Sequence, residues 1–133
     1  VFGLSDGGAH CGVLCDASVP TYMMSYVARD REKTLPLELV VNRMTENTAS
    51  VYGLDDRGVI APGYLADLNI IDFKAISLEP PEMVYDLPSN GKRLIQRANG
   101  YIATIKRGEV TFEHGEATGA LPGKLLRGSA IAD

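Results

Sequence analysis

The sequence has little of what distinguishes secreted, membrane-spanning or nucleic-acid-binding proteins. Its only cysteines are Cys11 and Cys15, which are too few for a disulfide framework, so we expect two reduced thiols. No apolar run approaches the roughly 18 residues that a membrane span needs, and no charged-then-apolar leader is present. The 17 acidic and 13 basic side chains include no basic block, so we expect neither nucleic acid nor a membrane as a partner. These absences together predict a cytoplasmic protein.

What the chain does contain is enough apolar material for a core. Hydrophobic residues make up 45% and charged residues 23% of its 133 positions, which is close to the composition of an ordinary globular domain. The first residue is Val1 rather than Met, and the chain opens directly into an apolar stretch that ends at Leu4. We expect from this start that an upstream portion of a longer parent protein precedes the sequence.

Helical patterns fill the first part of the chain up to Gly53. Ser18 followed by Pro20 predicts one helix start, Pro36 marks a second, and a third, short helix begins at Thr45. Two predicted apolar faces belong to these helices: Tyr22, Met23, Tyr26 and Val27 in the first helix, and Leu37, Val40, Val41 and Met44 in the second. Helical spacing alone explains both faces as core packing.

From Gly58 onward, short alternating stretches and turn dipeptides predict antiparallel strands. Strands are expected within residues 66–72 and 93–97, and a hairpin is expected over residues 100–113 around Arg107-Gly108. Three prolines within residues 77–91 predict a loop there. The fold class expected from these patterns is therefore α+β.

One stretch has the composition of a catalytic loop, namely Ser5-Asp6-Gly7-Gly8-Ala9-His10. A carboxylate and an imidazole follow an apolar strand, and in barrel enzymes active-site residues emerge at such strand ends. Asp-Gly-Gly is equally a turn sequence, so the stretch by itself leaves both interpretations open. For two other polar residues we expect structural positions. Asp67 should accept hydrogen bonds from a turn or strand end, and His114 should lie in a surface turn.

Several segments resemble, in order and spacing, the C-terminal end of the amidohydrolase superfamily. Residues 52–72 are similar to the link between barrel and β-sandwich in that superfamily, most specifically in the turn at 58–63 and in Ala66-Asp67-Leu68. Residues 108–115 look like the closing hairpin of the sandwich. Residues 118–127 resemble the tail of the N-acyl-D-amino-acid deacylase, or D-aminoacylase, branch.

The resemblance implies a division of the chain into two parts. Residues 1–52 would be the C-terminal end of a (β/α)8 catalytic barrel, comprising its last strand, a loop and helices. Residues 53–133 would be the C-terminal strands of a small antiparallel β-sandwich. In the family this sandwich is built from both ends of the chain, so strands without their N-terminal partners would leave open edges. We therefore expect the isolated chain to self-associate.

The resemblance also implies roles for the loop. Asp6 matches the aspartate that in the family takes a proton from zinc-bound water, returns it to the leaving nitrogen and often touches the metal. The residues expected to contact substrate are Ser5, Gly7, Gly8 and His10, and for His10 a loop histidine bonded within the protein is an equal alternative. Zinc is the implied cofactor of the parent protein, with further ligands supplied from upstream. Because no His-x-His pair occurs in the sequence, we expect neither tight zinc binding nor activity from the isolated chain.

The implied substrate is a small molecule with an amide bond, such as an N-acyl-D-amino acid. The loop departs from the D-aminoacylase pattern, because no arginine lies between His10 and Arg29, and arginine is the usual clamp for a substrate carboxylate. A cyclic-amide hydrolase of the dihydroorotase or hydantoinase type uses the same Asp6 chemistry and remains an alternative. A non-catalytic assembly domain is a further alternative for the isolated chain.

Overall fold

A computed structural model of the chain describes residues 12–126. A short 3-10 turn at Asp16–Ser18 leads into α1 (Val19–Tyr22), which continues as a π-helix over Met23–Asp30. Helices α2 (Leu37–Met44) and α3 (Glu46–Val51) follow. The three predicted helix starts are confirmed. Within the described part of the chain, no helix combines the length and the apolar content needed to cross a lipid bilayer.

The predicted apolar face of the first helix is partly wrong. Val27 is buried as expected, but Tyr22 and Tyr26 are half exposed and stack on each other with ring centroids 5.1 Å apart. The small residues Thr21 and Ser25 are buried instead, and the Ser25 hydroxyl donates to the Thr21 carbonyl oxygen at 2.9 Å. The prediction assumed α-helical spacing, whereas the wider π-helical turns of residues 23–30 change which positions share a face.

Between residues 12 and 126, eight strands follow the helices, and all of their pairings are antiparallel. They are β1 (Leu68–Ile71), β2 (Ser77–Leu78), β3 (Glu82–Leu87), β4 (Gly91–Ile95), β5 (Ala98–Asn99), β6 (Tyr101–Lys106), β7 (Glu109–Glu113) and β8 (Glu116–Ala117). They form one four-stranded sheet in the order β1-β6-β7-β8 and two separate pairs, β2-β5 and β3-β4. The expected combination of helices with antiparallel strands is confirmed.

Two strand predictions had opposite outcomes. The hairpin over residues 100–113 is confirmed: β6 and β7 pair across a two-residue turn in which Arg107 and Gly108 both have positive φ. The loop predicted for residues 77–91 is wrong, because this segment contains β2 and β3. Its prolines did not prevent strand pairing, since Pro80 and Pro81 precede β3 and Pro88 follows it at the turn.

The core lies between the helices and the segment that follows β1. Its buried centre is formed by Met24, Val40 and Ile76, and partly buried side chains such as Phe73 and Tyr101 pack against it. Gly100 permits this packing. A Cβ on Gly100 would lie only 2.7 Å from the Cα and N atoms of Ile76, and its φ of +88° also disfavours other residues.

Candidate functional site

The predicted catalytic and substrate-binding residues, Ser5, Asp6, Gly7, Gly8 and His10, lie outside the described residues. The same holds for Cys11, while Cys15 is a half-buried free thiol. The structure therefore leaves the predicted roles of the loop as predictions. What it does describe is the chain directly after the loop, which begins at Gly12 and forms one wall of a cavity.

This cavity, which we call the hairpin cavity, has a volume of about 530 Å³ and lies between the N-terminal segment and the β3–β4 hairpin. The N-terminal wall consists of Leu14, Cys15, Ala17, Ser18 and Thr21. The opposite wall consists of Leu87, Arg93, Leu94, Ile95, Gln96 and Ala98. The volume falls in the range of about 300–1,000 Å³ typical of small-molecule sites.

Most polar groups that line the hairpin cavity are bonded to other protein groups. The Ser18 hydroxyl donates to Gln96 Oε1, and Gln96 Nε2 donates to the Glu79 carbonyl oxygen at 2.9 Å. Thr21 Oγ1 and the Tyr101 hydroxyl are 2.8 Å apart. On the hairpin, Arg93 donates twice to Asp86, at 2.7 and 2.6 Å. The remaining lining is mainly aliphatic.

A second cluster of chemically active groups surrounds Asp67. Asp67 Oδ2 accepts hydrogen bonds from Arg57 Nη1 at 2.8 Å and from Lys106 Nζ, and Oδ1 accepts from the Arg107 backbone N–H at 2.9 Å. Arg57 also binds Asp56 through Nε at 2.8 Å. The Asp67 carboxylate therefore binds two basic side chains just before β1, next to the β6–β7 turn.

The electrostatics of Asp67 fit a structural role. Burial raises the pKa of Asp67, but the hydrogen bonds from Lys106 and the Arg107 N–H, with the charges of Lys106 and Arg57, outweigh burial and leave the pKa below its ordinary value. A carboxylate held ionised by three donors is a poor proton acceptor at neutral pH. The predicted interpretation of Asp67 as an acceptor of turn and strand-end hydrogen bonds is confirmed.

The remaining predicted positions are also accounted for. His114 is exposed in the turn between β7 and β8, with a φ of 48°, so its predicted surface position is confirmed. Within residues 12–126, no three His, Cys, Asp or Glu side chains come together to hold a metal ion. The described residues thus do not fit a zinc ion by themselves.

Two features of the site were missed from the sequence. The hairpin that forms one wall of the cavity was interpreted as loop, although Met83, Tyr85 and Leu87 alternate along β3 as strand residues do. The bonding of Arg57 to Asp67 was also missed. The only local indication was the charged sequence Asp55-Asp56-Arg57 before the glycine turn, which does not specify a partner ten positions away.

Comparison with known proteins gives consistent matches. The sequence profile described as "Amidohydrolase family" matches residues 1–112. An allantoinase from Deinococcus radiodurans is 31% identical over 98 residues, covering 72% of this chain and 21% of the relative. An N-acyl-D-aspartate deacylase from Alcaligenes xylosoxydans xylosoxydans is 35% identical over 102 residues, covering 75% of this chain and 18% of the relative. The chain thus spans about a fifth of the length of these curated relatives. No solved structure matches.

Proposed function

The chain belongs to the amidohydrolase family, and from this membership we propose that it is the C-terminal part of a hydrolase that cleaves the amide bond of N-acyl-D-amino acids or related small amides. The observation that carries the proposal is the family match over residues 1–112, which includes the Ser5–His10 loop and the chain through β6. The similarity to the N-acyl-D-aspartate deacylase supports this substrate class.

Within this proposal the chain has two functional parts. Residues 1–52 complete a catalytic barrel, and residues 53–133 contribute strands to a sandwich beside it. The packing of Ile76 against Met24 and Val40 supports a fixed contact between the two parts. Asp67, with its hydrogen-bond partners Arg57 and Lys106, would then stabilise the second part, to which all three residues belong.

Asp6 is the proposed proton acceptor and donor of the reaction. A carboxylate at a strand end can remove a proton from the attacking water and deliver it to the leaving nitrogen. Amidohydrolases are generally metal-dependent, but the described residues do not form a ligand set. Zinc therefore enters the proposal only as a cofactor of the longer protein, with Asp6 as one candidate ligand, and Ser5, Gly7, Gly8 and His10 as candidate substrate contacts.

A cyclic-amide hydrolase is the second candidate, and the similarity to an allantoinase favours it. Both reactions break an amide C–N bond and need the same proton transfer, so Asp6 has one role in either case. The two candidates differ in the product. An N-acyl amino acid releases a free amine, whereas a cyclic amide opens to a single molecule with a new carboxylate.

The test is the substitution Asp6→Asn in the full-length gene product that contains this chain. The amide keeps the shape of the side chain but cannot accept the proton, so kcat should fall by at least about 10²–10⁴-fold. Amine release from N-acyl-D-aspartate and ring opening of allantoin would be measured in parallel to separate the two candidates.

Asp16→Asn is the matched control, because Asp16 is an exposed carboxylate in the 3-10 turn, ten positions farther along the same segment. It should leave both rates unchanged. Activity of the Asp6 variant within about tenfold of the unsubstituted protein would contradict the role of Asp6. Turnover of neither substrate class by the unsubstituted, metal-loaded protein would contradict the proposed function itself.

We also propose that the isolated 133-residue chain self-associates. In the described part of the chain, β1 has a sheet neighbour on one side only, so the other side offers backbone groups to a further strand. The sheet also exposes Ile70, Ile102, Val110 and Phe112, and burial of such side chains stabilises a complex. Light scattering coupled to size exclusion should give a mass at or above the dimer. A monomer at tens of micromolar with a cooperative melt would contradict this expectation.

A further inference from the structure

The hairpin cavity offers a ligand an aliphatic surface. Its polar groups Ser18, Gln96, Thr21 and Arg93 bond to protein partners, and a ligand that displaced these bonds would have to replace them. Apart from Cys15, the lining that remains consists of Leu14, Ala17, Leu87, Leu94, Ile95 and Ala98. At about 530 Å³ the cavity exceeds the roughly 150 Å³ that suffices to hold benzene in a protein core. An alkyl chain fits this surface chemistry.

A lysine outside the cavity lining lies beside the segment that leads into the N-terminal wall. Lys92 lies along Gly12: a Cβ on Gly12 would be 3.8 Å from both Cγ and Cε of Lys92. Among the described residues, no carboxylate forms an ion pair with the Lys92 ammonium. Leu14 follows His10 by four positions, which an extended chain spans in about 14 Å at most. Along the sequence, the loop is thus followed first by Gly12, which lies beside Lys92, and then by Leu14 in the cavity wall.

We propose that the hairpin cavity binds the alkyl chain of the acyl group, and that Lys92 attracts the carboxylate that the acyl group becomes on hydrolysis. The chemical class of the ligand is a medium-chain fatty acid or the matching N-acyl group. This identity rests on the proposed amide hydrolysis, in which water adds to the acyl carbon, the C–N bond breaks and the nitrogen leaves as an amine. The β3–β4 hairpin then determines acyl-chain preference.

Cys15 provides a reporter for the test, because it is a free cysteine among the residues that line the cavity. In the 133-residue chain carrying Cys11→Ser, Cys15 is the one remaining cysteine, and its reaction rate with a disulfide reagent can be followed in the presence of octanoate. Octanoate at ten times its Kd should slow the reaction roughly tenfold. Butyrate, which fills little of the cavity, and octanol, which lacks the charge, should protect much less at the same concentration.

Substitutions assign the two contacts. Leu94→Trp fills the cavity with a residue that strands accept and should remove octanoate protection. Lys92→Met should bring octanoate down to the level of octanol, whereas Lys33→Met, at an exposed lysine between the π-helix and α2, should change nothing. Thermal melts verify that each variant is folded. If Leu94→Trp does not fold, the comparison of octanoate, butyrate and octanol on the chain with Leu94 intact still tests the proposal.

The outcomes separate this proposal from the proposed function. Absence of protection by octanoate in the folded chain would overturn the cavity assignment, and equal protection by octanol and octanoate would overturn the role of Lys92. If octanoate protects Cys15 more than butyrate and octanol do, and the Asp6→Asn protein is fully active, the cavity assignment stands and the proposed role of Asp6 is wrong. In the full-length protein, kcat/KM should be at least about tenfold higher for N-octanoyl than for N-acetyl substrates.

Discussion

The helical part and the strand part of this chain are stabilised by different interactions. Around the helices, Met24, Val40 and Ile76 are buried among apolar neighbours. In the four-stranded sheet, by contrast, side chains such as Ile70 and Phe112 are about half exposed. Beside that sheet lies Asp67, a carboxylate with three hydrogen-bond donors. Apolar burial therefore stabilises the helical part together with the segment that follows β1, and a polar cluster stabilises the end of the sheet.

This difference has a consequence for how each part responds to mutation. Loss of buried apolar volume destabilises at any pH, because the cost comes from transfer and cavity formation. Loss of a charge-assisted hydrogen bond depends on pH, because the bond needs the ionised carboxylate. The two parts can therefore be distinguished by measuring the free energy of unfolding of matched variants across pH.

The largest effect is expected for Ile76→Ala. Ile76 is 0% exposed at the centre of the core, so truncation should lower the free energy of unfolding by about 2–5 kcal/mol. Denaturant titration followed by circular dichroism measures this change. The matched control is Ile70→Ala, since Ile70 is 47% exposed on β1, and its cost should be well under half as large. Equal losses at the two isoleucines would contradict a core confined to the helical side.

A smaller, pH-dependent effect is expected for Asp67→Asn. The amide keeps the shape but loses the charge that binds Arg57 and Lys106, so at pH 7 the variant should be less stable by about 1–2 kcal/mol, allowing for solvent screening. The pKa of Asp67 is lowered from 3.8 in the folded chain. Its contribution is therefore complete above that ordinary value and is lost as the pH falls through the lowered value.

The measurement for Asp67→Asn is the difference in unfolding free energy between variant and unsubstituted chain, from pH 7 to the lowest pH at which the chain is folded. This difference should shrink on the acid side. Asp86→Asn is the control, because Asp86 binds Arg93 on the exposed hairpin and exposed pairs contribute little. A difference for Asp67→Asn that is constant down to the lowest pH would mean that the carboxylate charge contributes nothing.

The comparison of the two parts also explains how much of the structure could be predicted from the sequence. Helix starts and the β6–β7 hairpin depend on neighbouring residues, such as Ser18-Val19-Pro20 and Arg107-Gly108, and these predictions were confirmed. The exposed position of Tyr22 and Tyr26 depends on the π-helical turns, which apolar spacing does not reveal. The ion pair of Asp67 with Lys106 joins residues 39 positions apart, and no local pattern specifies it.

The two regions of the candidate site also differ in how far the sequence predicts them. The Ser5–His10 loop could be proposed because its residue types are contiguous, although its geometry lies outside the described residues. The hairpin cavity could not be proposed from the sequence, because its two walls are separated by more than sixty positions along the chain. The bond between Ser18 and Gln96 joins these walls. The prolines at positions 80, 81 and 88 moreover favoured a loop where β3 forms. Long-range contacts between segments with weak local signals are what the sequence by itself does not provide.

The smallest expected effect concerns the Arg107-Gly108 turn, from which the β6–β7 hairpin was predicted. Arg107 has a φ of 55° and Gly108 a φ of 83°. In two-residue hairpin turns with positive φ at both positions, Asn-Gly is the preferred sequence. Arg107→Asn should therefore raise the free energy of unfolding by a few tenths of a kcal/mol up to about 1 kcal/mol, because Asn tolerates positive φ better than Arg. The backbone N–H of residue 107, which binds Asp67, is unchanged by this substitution.

The substitution Gly108→Ala should instead lower the free energy of unfolding, by about 1 kcal/mol. An added Cβ meets no atom within 4 Å, so this loss reflects backbone strain alone. Thermal melts of both variants decide the matter. Destabilisation by Arg107→Asn would show that the Arg107 side chain makes a stabilising contribution larger than the turn preference.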